Sequence, residues 1–205
     1  KTLAEWGAEV IPTTDYNIEG IDATVDMIKA AGGKAYAVRM DVMSRESIEM
    51  AFKKIVECSG KIDILVNCAG MIDHADIPDV TIERWNKVID INLRGTHLCS
   101  QLVLPHMIEN HAGAIVNVSS QAGQVGGWQA GINYTASKGG ILALTKGYAR
   151  YCAQYGIRVN DVAPGIIESE STEERQENLE EVALKRRGTP EEVANAICFL
   201  ASDLA

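Results

Sequence analysis

In the stretch KIDILVNCAG, residues 61–70, three apolar residues run together at Ile64, Leu65 and Val66, and a cluster of small and polar residues follows at once. A strand turns alternate side chains to opposite faces, so an unbroken apolar run is buried on both sides. GAIVNVSS, residues 113–120, repeats the pattern with Ile115 and Val116. Strands covered on both faces belong to parallel sheets packed between helices.

Working outward, strand-length apolar runs alternate with helical patterns along the chain. AEVIPTT (8–14) precedes an amphipathic stretch from about Ile18 to Ala31, stopped by Gly32 and Gly33. KAYAVRMDV (34–42) precedes a helix over about 44–58, and residues 61–70 precede a long one over about 81–109. A Gly-rich loop leads from residues 113–120 into a helix that begins near Tyr134 and stops at Gly156, and IRVNDVAPG (157–165) closes the series. Thr189, Pro190 and Glu192 carry the signals of a helix start with a capping box. Before it, the acidic segment 168–181 reads as a solvated stretch or a lid over a site. Repeated strand–helix–strand order predicts one domain over residues 1–205, an α/β fold with a doubly wound parallel sheet in three α/β/α layers.

The bulk numbers set limits. With 205 residues, 46% hydrophobic and 23% charged, the chain suits one domain with a substantial core. A net charge of −9 lacks the basic footprint that nucleic acids and anionic membranes require. There is no apolar run of membrane-spanning length and no signal-peptide pattern. Single cysteines at 58, 68, 99, 152 and 198 read as reduced thiols in a cytoplasmic protein. Histidines 74, 97, 106 and 111 have no metal-ligand spacing, so no metal site is expected.

In doubly wound folds, ligands bind at the carboxyl ends of the strands. There stand Asp15, Asp41, the run Asn67-Cys68-Ala69-Gly70, Ser119-Ser120, and Pro164-Gly165. Each suits turn chemistry taken singly. Tyr134 and Lys138 follow one of these ends, and four residues apart on a helix they share a face.

Together these residues resemble the short-chain dehydrogenase/reductase family, and the resemblance runs from Lys1 to Ala205. Tyr134 and Lys138 match the family's Tyr-x-x-x-Lys, Ser120 its serine, and Asn92 its helix asparagine. Asn67-Cys68-Ala69-Gly70 matches Asn-Asn-Ala-Gly, with Cys68 in place of the second asparagine. Asp41-Val42 and Pro164-Gly165 fall in their expected places, with Ser169 where threonine is usual. The family's Gly-rich phosphate-binding turn has no counterpart: no Gly-x-Gly-x-x-Gly occurs, and KTLAEWGAEVI resembles the second half of a first helix entering a second strand. The end, FLASDLA, stops before the family's last strand. The expectation is therefore a Rossmann-like fold incomplete at both ends, from a longer protein.

The resemblance implies an NAD(P)-dependent oxidoreductase that interconverts a secondary alcohol and a ketone. Tyr134 would be the general acid/base, Lys138 would lower its pKa and hold the cofactor ribose, Ser120 would polarise the substrate oxygen, and Asn92 would position a relay water. Asp15, Asp41, Val42, Asn67, Ala69, Gly70, Tyr134, Lys138, Pro164, Gly165, Ile167 and Ser169 would line the cofactor. A carboxylate after the second strand accepts from a ribose 2′-hydroxyl and repels a 2′-phosphate. Asp15 lies one residue past the usual acidic position, and no arginine is seen there, so the sequence favours NAD over NADP.

The nearest branch holds 3-oxoacyl-[acyl-carrier-protein] reductases and polyol and sugar dehydrogenases. Carrier protein is acidic and calls for basic residues at the site mouth. Glu109-Asn110-His111, Gln154-Tyr155 and the acidic 168–181 segment argue instead for a small polyol, sugar or ketone. The carrier-protein reductase stays open as an alternative, as does a non-catalytic nucleotide-sensing or scaffold member of the fold. Family members are homo-oligomers, tetramers or dimers, and small residues Ala136, Gly139, Gly140 and Ala143 would allow helices to meet along the Tyr134 helix or pack it on its own sheet.

Overall fold

The computed structural model describes residues 1–127, 130–169 and 179–205. A short helix α1 (Thr2–Glu5) leads to the strand pieces β1 (Glu9–Val10) and β2 (Thr13–Thr14). After α2 (Ile18–Ala30) come β3 (Lys34–Ala35) and β4 (Val38–Arg39), then α3 (Arg45–Ser59) and β5 (Ile64–Asn67). The long helix expected over about 81–109 is α4 (Ile82–Ile89) and α5 (Gly95–Glu109), joined by a π-helical turn, Asp90–Arg94. β6 (Gly113–Val118), the short α6 (Ala122–Val125), α7 (Ile132–Cys152), β7 (Ile157–Val162) and α8 (Pro190–Ala201) complete the order.

Every ladder is parallel. β1 pairs with β3 and β2 with β4, while β5, β6 and β7 form a three-stranded sheet in that order. The strands expected over 8–14 and 34–42 are each split in two. Pro12 has no N–H to donate, but its carbonyl still accepts from Val38 N, so the chain stays extended between the pieces. No ladder joins the β1–β4 pairs to β5–β7 among the described residues.

The sequence signals at helix starts are realised. Asn17, Ser44 and Thr81 cap α2, α3 and α4, and Thr189 and Glu192 form the capping box of α8 with Pro190 in its first turn. Ile48, Phe52, Ile55, Val103, Met107, Ile115, Ile157 and Val159 build the main core, where α3, α5 and α7 cover one side of the sheet. Val25 and Ile28 of α2 cover Ala35 beside Ala4 of α1, which itself packs against α8. Each large apolar side chain buried in this way contributes roughly 1.5–3 kcal/mol. No helix among the described residues is long and apolar enough to cross a membrane. Of the acidic segment, residues 170–178 lie outside the described residues, as does the loop pair 128–129.

Candidate active site

The carboxyl end of β6 carries Ser119 and Ser120, and the backbone fixes both. Ser119 N donates to Val162 O and Gln121 N to Pro164 O, so the pairing with β7 runs on past the strand ends. α6 then turns the chain back toward α7, whose first turns carry Tyr134 and Lys138. Ser120 and Tyr134 come from opposite ends of this loop, and the serine hydroxyl acts to lower the pKa of the phenol. Lys138 is 5% exposed; its Nζ donates to Val118 O at 2.8 Å and lies 5.6 Å from the centroid of the Tyr134 ring.

Asn92 completes the set the sequence named. It sits inside the π turn, fully buried, and its amide closes a ring with the backbone after β5. Oδ1 accepts from Met71 N at 2.8 Å, and Nδ2 donates to Met71 O at 2.9 Å and Ser137 Oγ at 3.0 Å. Asn92 thus pins the Asn67–Gly70 turn to the helix that carries Tyr134. The π turn and the positioning of Asn92 are one feature, because a π-bulge lets a side chain step out of the regular helical row.

Electrostatics here are ruled by burial. The phenol of Tyr134 is raised above its ordinary 10.0 by desolvation, against a smaller lowering by the Ser120 hydrogen bond. The Lys138 ammonium is held below 10.5 by its own burial, opposed by Cys68 and Asp161. Burial is the larger influence on the Tyr134 phenol, and it favours the neutral form.

Two glycines set the approach distances. A Cβ on Gly70 would stand 3.3 Å from Asn92 Oδ1 and 3.5 Å from Lys138 Nζ, so the open turn after β5 leads directly to the lysine. A Cβ on Gly123 would stand 2.5 Å from the backbone N of Gly139 and C of Lys138. Backbone cannot yield as a flexible side chain can, so Gly123→Ala must push α6 off α7 and part Ser120 from Tyr134. Turnover should fall at least tenfold while the far-ultraviolet circular dichroism stays that of the parent; unchanged kcat/KM would show that the loop absorbs the methyl.

At the other strand ends, a cavity of 480 Å³ is lined by Asp15, Arg39, Asp41, Ser44, Ser47 and Met50. Asp41 Oδ1 accepts from Met43 N, which fixes the turn into Val42, and Val42 packs against the position of Gly95. Here the sequence reading needs a correction. Arg39 pairs in register with Thr14 and lines the same cavity as Asp15, so an arginine does belong to this strand end. Arg39 ends β4, and Asp41 follows two residues on; both line this cavity.

The Asn67 side chain is turned inward. Its Nδ2 donates to Ser100 Oγ at 3.0 Å and Asn117 Oδ1 at 2.8 Å, inside the sheet. The side chain is spent on joining β5 to β6, while Ala69 and Gly70 stay exposed on the turn. Pro164 and Gly165 follow β7 as expected, Ile167 is held by a bridge to Gly188, and Ser169 is exposed at the edge of the described residues.

The sequence reading also missed a network beneath Tyr134. Asp73, 7% exposed, accepts from Arg84 Nε at 3.0 Å, from a second Arg84 nitrogen and from Asn133 Nδ2 at 2.9 Å, while Asp73 O accepts from Gly131 N at 2.7 Å. The Arg84 hydrogen bond, then that of Asn133, hold its carboxyl far below the usual range. The residue before Tyr134 is thereby tied to α4 and to the turn after β5. Nothing in an isolated Asp, Arg and Asn marks such a triad, because the three are brought together only by the fold.

The site can hold a nicotinamide dinucleotide in outline: open turns at the carboxyl ends, an acid and a base around a cavity where an adenosine would sit, and a lysine reached past a glycine. It can also transfer a proton, since a neutral phenol faces a serine hydroxyl. No group of three or more metal-ligating side chains occurs among the described residues.

Comparisons with known proteins agree with this geometry. A family model described as enoyl-(acyl carrier protein) reductase matches residues 1–205. A 3-oxoacyl-[acyl-carrier-protein] reductase, FabG, of Thermotoga maritima is 42% identical over 206 residues, covering 98% of this chain and 83% of its own. The 3-oxoacyl-[acyl-carrier-protein] reductase of Synechocystis is 37% identical over 205 residues, covering 99% and 83%. A crystal structure of gox2181 superposes with a TM-score of 0.94 at 34% identity over 99% of this chain and 82% of its own. With the parallel sheet between its helices and the Ser120–Tyr134–Lys138 grouping, the chain belongs to the short-chain dehydrogenase/reductase family, as an oxidoreductase close to the 3-oxoacyl-[acyl-carrier-protein] reductase branch.

Proposed function

We propose that this protein reduces the 3-oxo group of an acyl thioester, carried by acyl carrier protein, to the hydroxyl. The observation that carries the reading is the 42% identity with a reductase of that name over nearly the whole chain. It displaces the polyol or sugar substrate favoured by the sequence, because the acidic residues 109 and 168–181 say less about a docking face than full-length similarity does. A bound nicotinamide cofactor would supply the hydride. Tyr134, neutral at working pH, gives its proton to the substrate oxygen as negative charge develops there. Ser120 donates to the same oxygen and steadies the charge. Lys138, next to the ring, favours the phenolate that remains, and Asn92 keeps the turn after β5 in register with both. In the reductive direction a raised phenol pKa is an asset, since the acid is loaded before the substrate arrives.

The cofactor preference rests on Asp15 and Arg39, which act in opposite senses on a ribose 2′-phosphate, so the reading is a nicotinamide dinucleotide with either form admitted. Assembly as a homo-oligomer is part of the proposal. Gly139 and Gly140 face α6 and Leu93 within the chain, while Ala136, Ala143 and Gly147 stay exposed along α7 and leave a low surface for a second copy.

The test is a panel read by absorbance of the reduced nicotinamide: a 3-oxoacyl thioester, simple ketones and polyols, each with both cofactors. The thioester should give the highest kcat/KM. Faster turnover of a polyol or sugar would return the reading to that class, and no turnover with any of them would favour the scaffold alternative.

A further inference from the structure

Asp161 has no part in the chemistry above, yet it lies against it. Three polar residues stand in register across the sheet: Asn67 on β5, Asn117 on β6 and Asp161 on β7. The two asparagines are satisfied by one another, by Ser100 and by Thr145, whose Oγ1 accepts from Asn117 Nδ2 at 2.8 Å. The carboxylate is not. Its Oδ1 accepts from Ser119 Oγ at 2.5 Å, and its Oδ2 is buried with no hydrogen-bond partner among the described residues. Such an oxygen is costly to bury unless a charge compensates it.

The compensating charge is Lys138. Its Nζ bonds to Val118 O, one residue before Ser119, so lysine, serine and aspartate meet at the end of β6. Burial raises the Asp161 carboxyl, opposed by the Ser119 hydrogen bond and then by Lys138; burial lowers the Lys138 ammonium, opposed by Cys68 and then by Asp161. Cys68, after β5, also faces Lys138, and Tyr134 stands beside it on its own helix.

We propose that Asp161 is a positioning residue of this site, a buried counter-charge that keeps Lys138 cationic and anchors Ser119 beside Ser120. The inference rests on the oxidoreductase reading for its consequence, though not for its test. A lysine surrounded by protein loses its proton more readily than one in water, and a nearby negative charge works against that loss, beside the hydrogen bond to Val118 O. Asp161 supplies that charge from the strand, where no side-chain motion is needed to bring it in.

Asp161→Asn separates charge from shape, because an amide oxygen still accepts from Ser119. With lysine-selective carbon-13 labels, and Lys138 assigned by the signal lost in Lys138→Arg, its titration midpoint should fall by about one pH unit in Asp161→Asn. Ser119→Ala, which leaves the carboxylate in place, should move it far less. An unmoved midpoint in folded Asp161→Asn overturns the proposal. If that variant does not fold, Asp161→Ser takes the same test, and if no neutral residue at 161 allows folding, the role is structural and the proposal falls. The readout needs no turnover, so a protein that reduces no ketone refutes the proposed function and leaves this result standing. Where reduction is measured, the alkaline limb of kcat/KM should move to lower pH by the same amount. Removing a negative charge eases proton loss from the Tyr134–Lys138 pair, whichever member gives it up.

Discussion

Tyr134→Phe should lower kcat at least a hundredfold, with KM for the carbonyl substrate changed much less. The variant removes one oxygen, and the ring keeps its place above Lys138. What disappears is the proposed acid that meets the substrate oxygen, and with it the hydroxyl whose pKa Ser120 lowers. General acid catalysis of this kind contributes typically ~10²–10⁴-fold. The hydroxyl of Ser120 can still polarise the oxygen, so a low residual rate is expected rather than none. Wild-type turnover in Tyr134→Phe, measured by nicotinamide absorbance, would remove Tyr134 from the reaction and with it the proposed route of the proton.

The second large effect is expected some distance from the chemistry. Asp73→Ala should destabilise the fold by about 2 kcal/mol, toward the low end for broken buried pairs because Arg84 is half exposed and can find water. Asn133 loses its acceptor at the same time, next to Tyr134, so kcat should fall tenfold or more even at temperatures where the variant is folded. Urea unfolding measures the first effect and saturation kinetics the second. Asp73→Ala with parental stability would mean that Gly131 and the helix cap alone hold this loop. The pH dependence has a definite sign. The folded carboxyl of Asp73 is depressed below its unfolded value of 3.8, so its contribution is fully present above that pH and is lost progressively as pH falls below it toward the folded pKa. In Asp73→Ala the acid side of the stability curve should accordingly be flatter.

Much of this fold was legible because local rules and tertiary packing agree. The apolar run of Ile64, Leu65 and Val66 marked a strand of a parallel sheet, which pairs with β6, though each of the three is only partly buried and Leu65 is the one packed on the main core. Thr189, Pro190 and Glu192 announced α8 to the residue. The grouping of Ser120, Tyr134 and Lys138 was legible because the three sit on one strand end and one helix face, where spacing translates into geometry. Arg39, Asp73 and Asp161 were harder to read. Each acts through a partner distant in sequence: Thr14, Arg84 with Asn133, and Ser119 with Lys138. The inward turn of the Asn67 amide was equally hidden, because it depends on the register of β5 with β6, which sets it against Asn117.

The π turn at Asp90–Arg94 has a consequence for helical phase. Adding one residue to a regular helix rotates everything beyond it by about 100°. Across the turn, the side of α4 that presents Arg84 to Asp73 and the side of α5 that presents Val103 and Met107 to the core follow different angular schedules. A straight helix of the same composition could satisfy one of these and not both. The surplus residue therefore works as a coupling between two gears: it lets one continuous rod of chain serve the core at one end and the reaction site at the other.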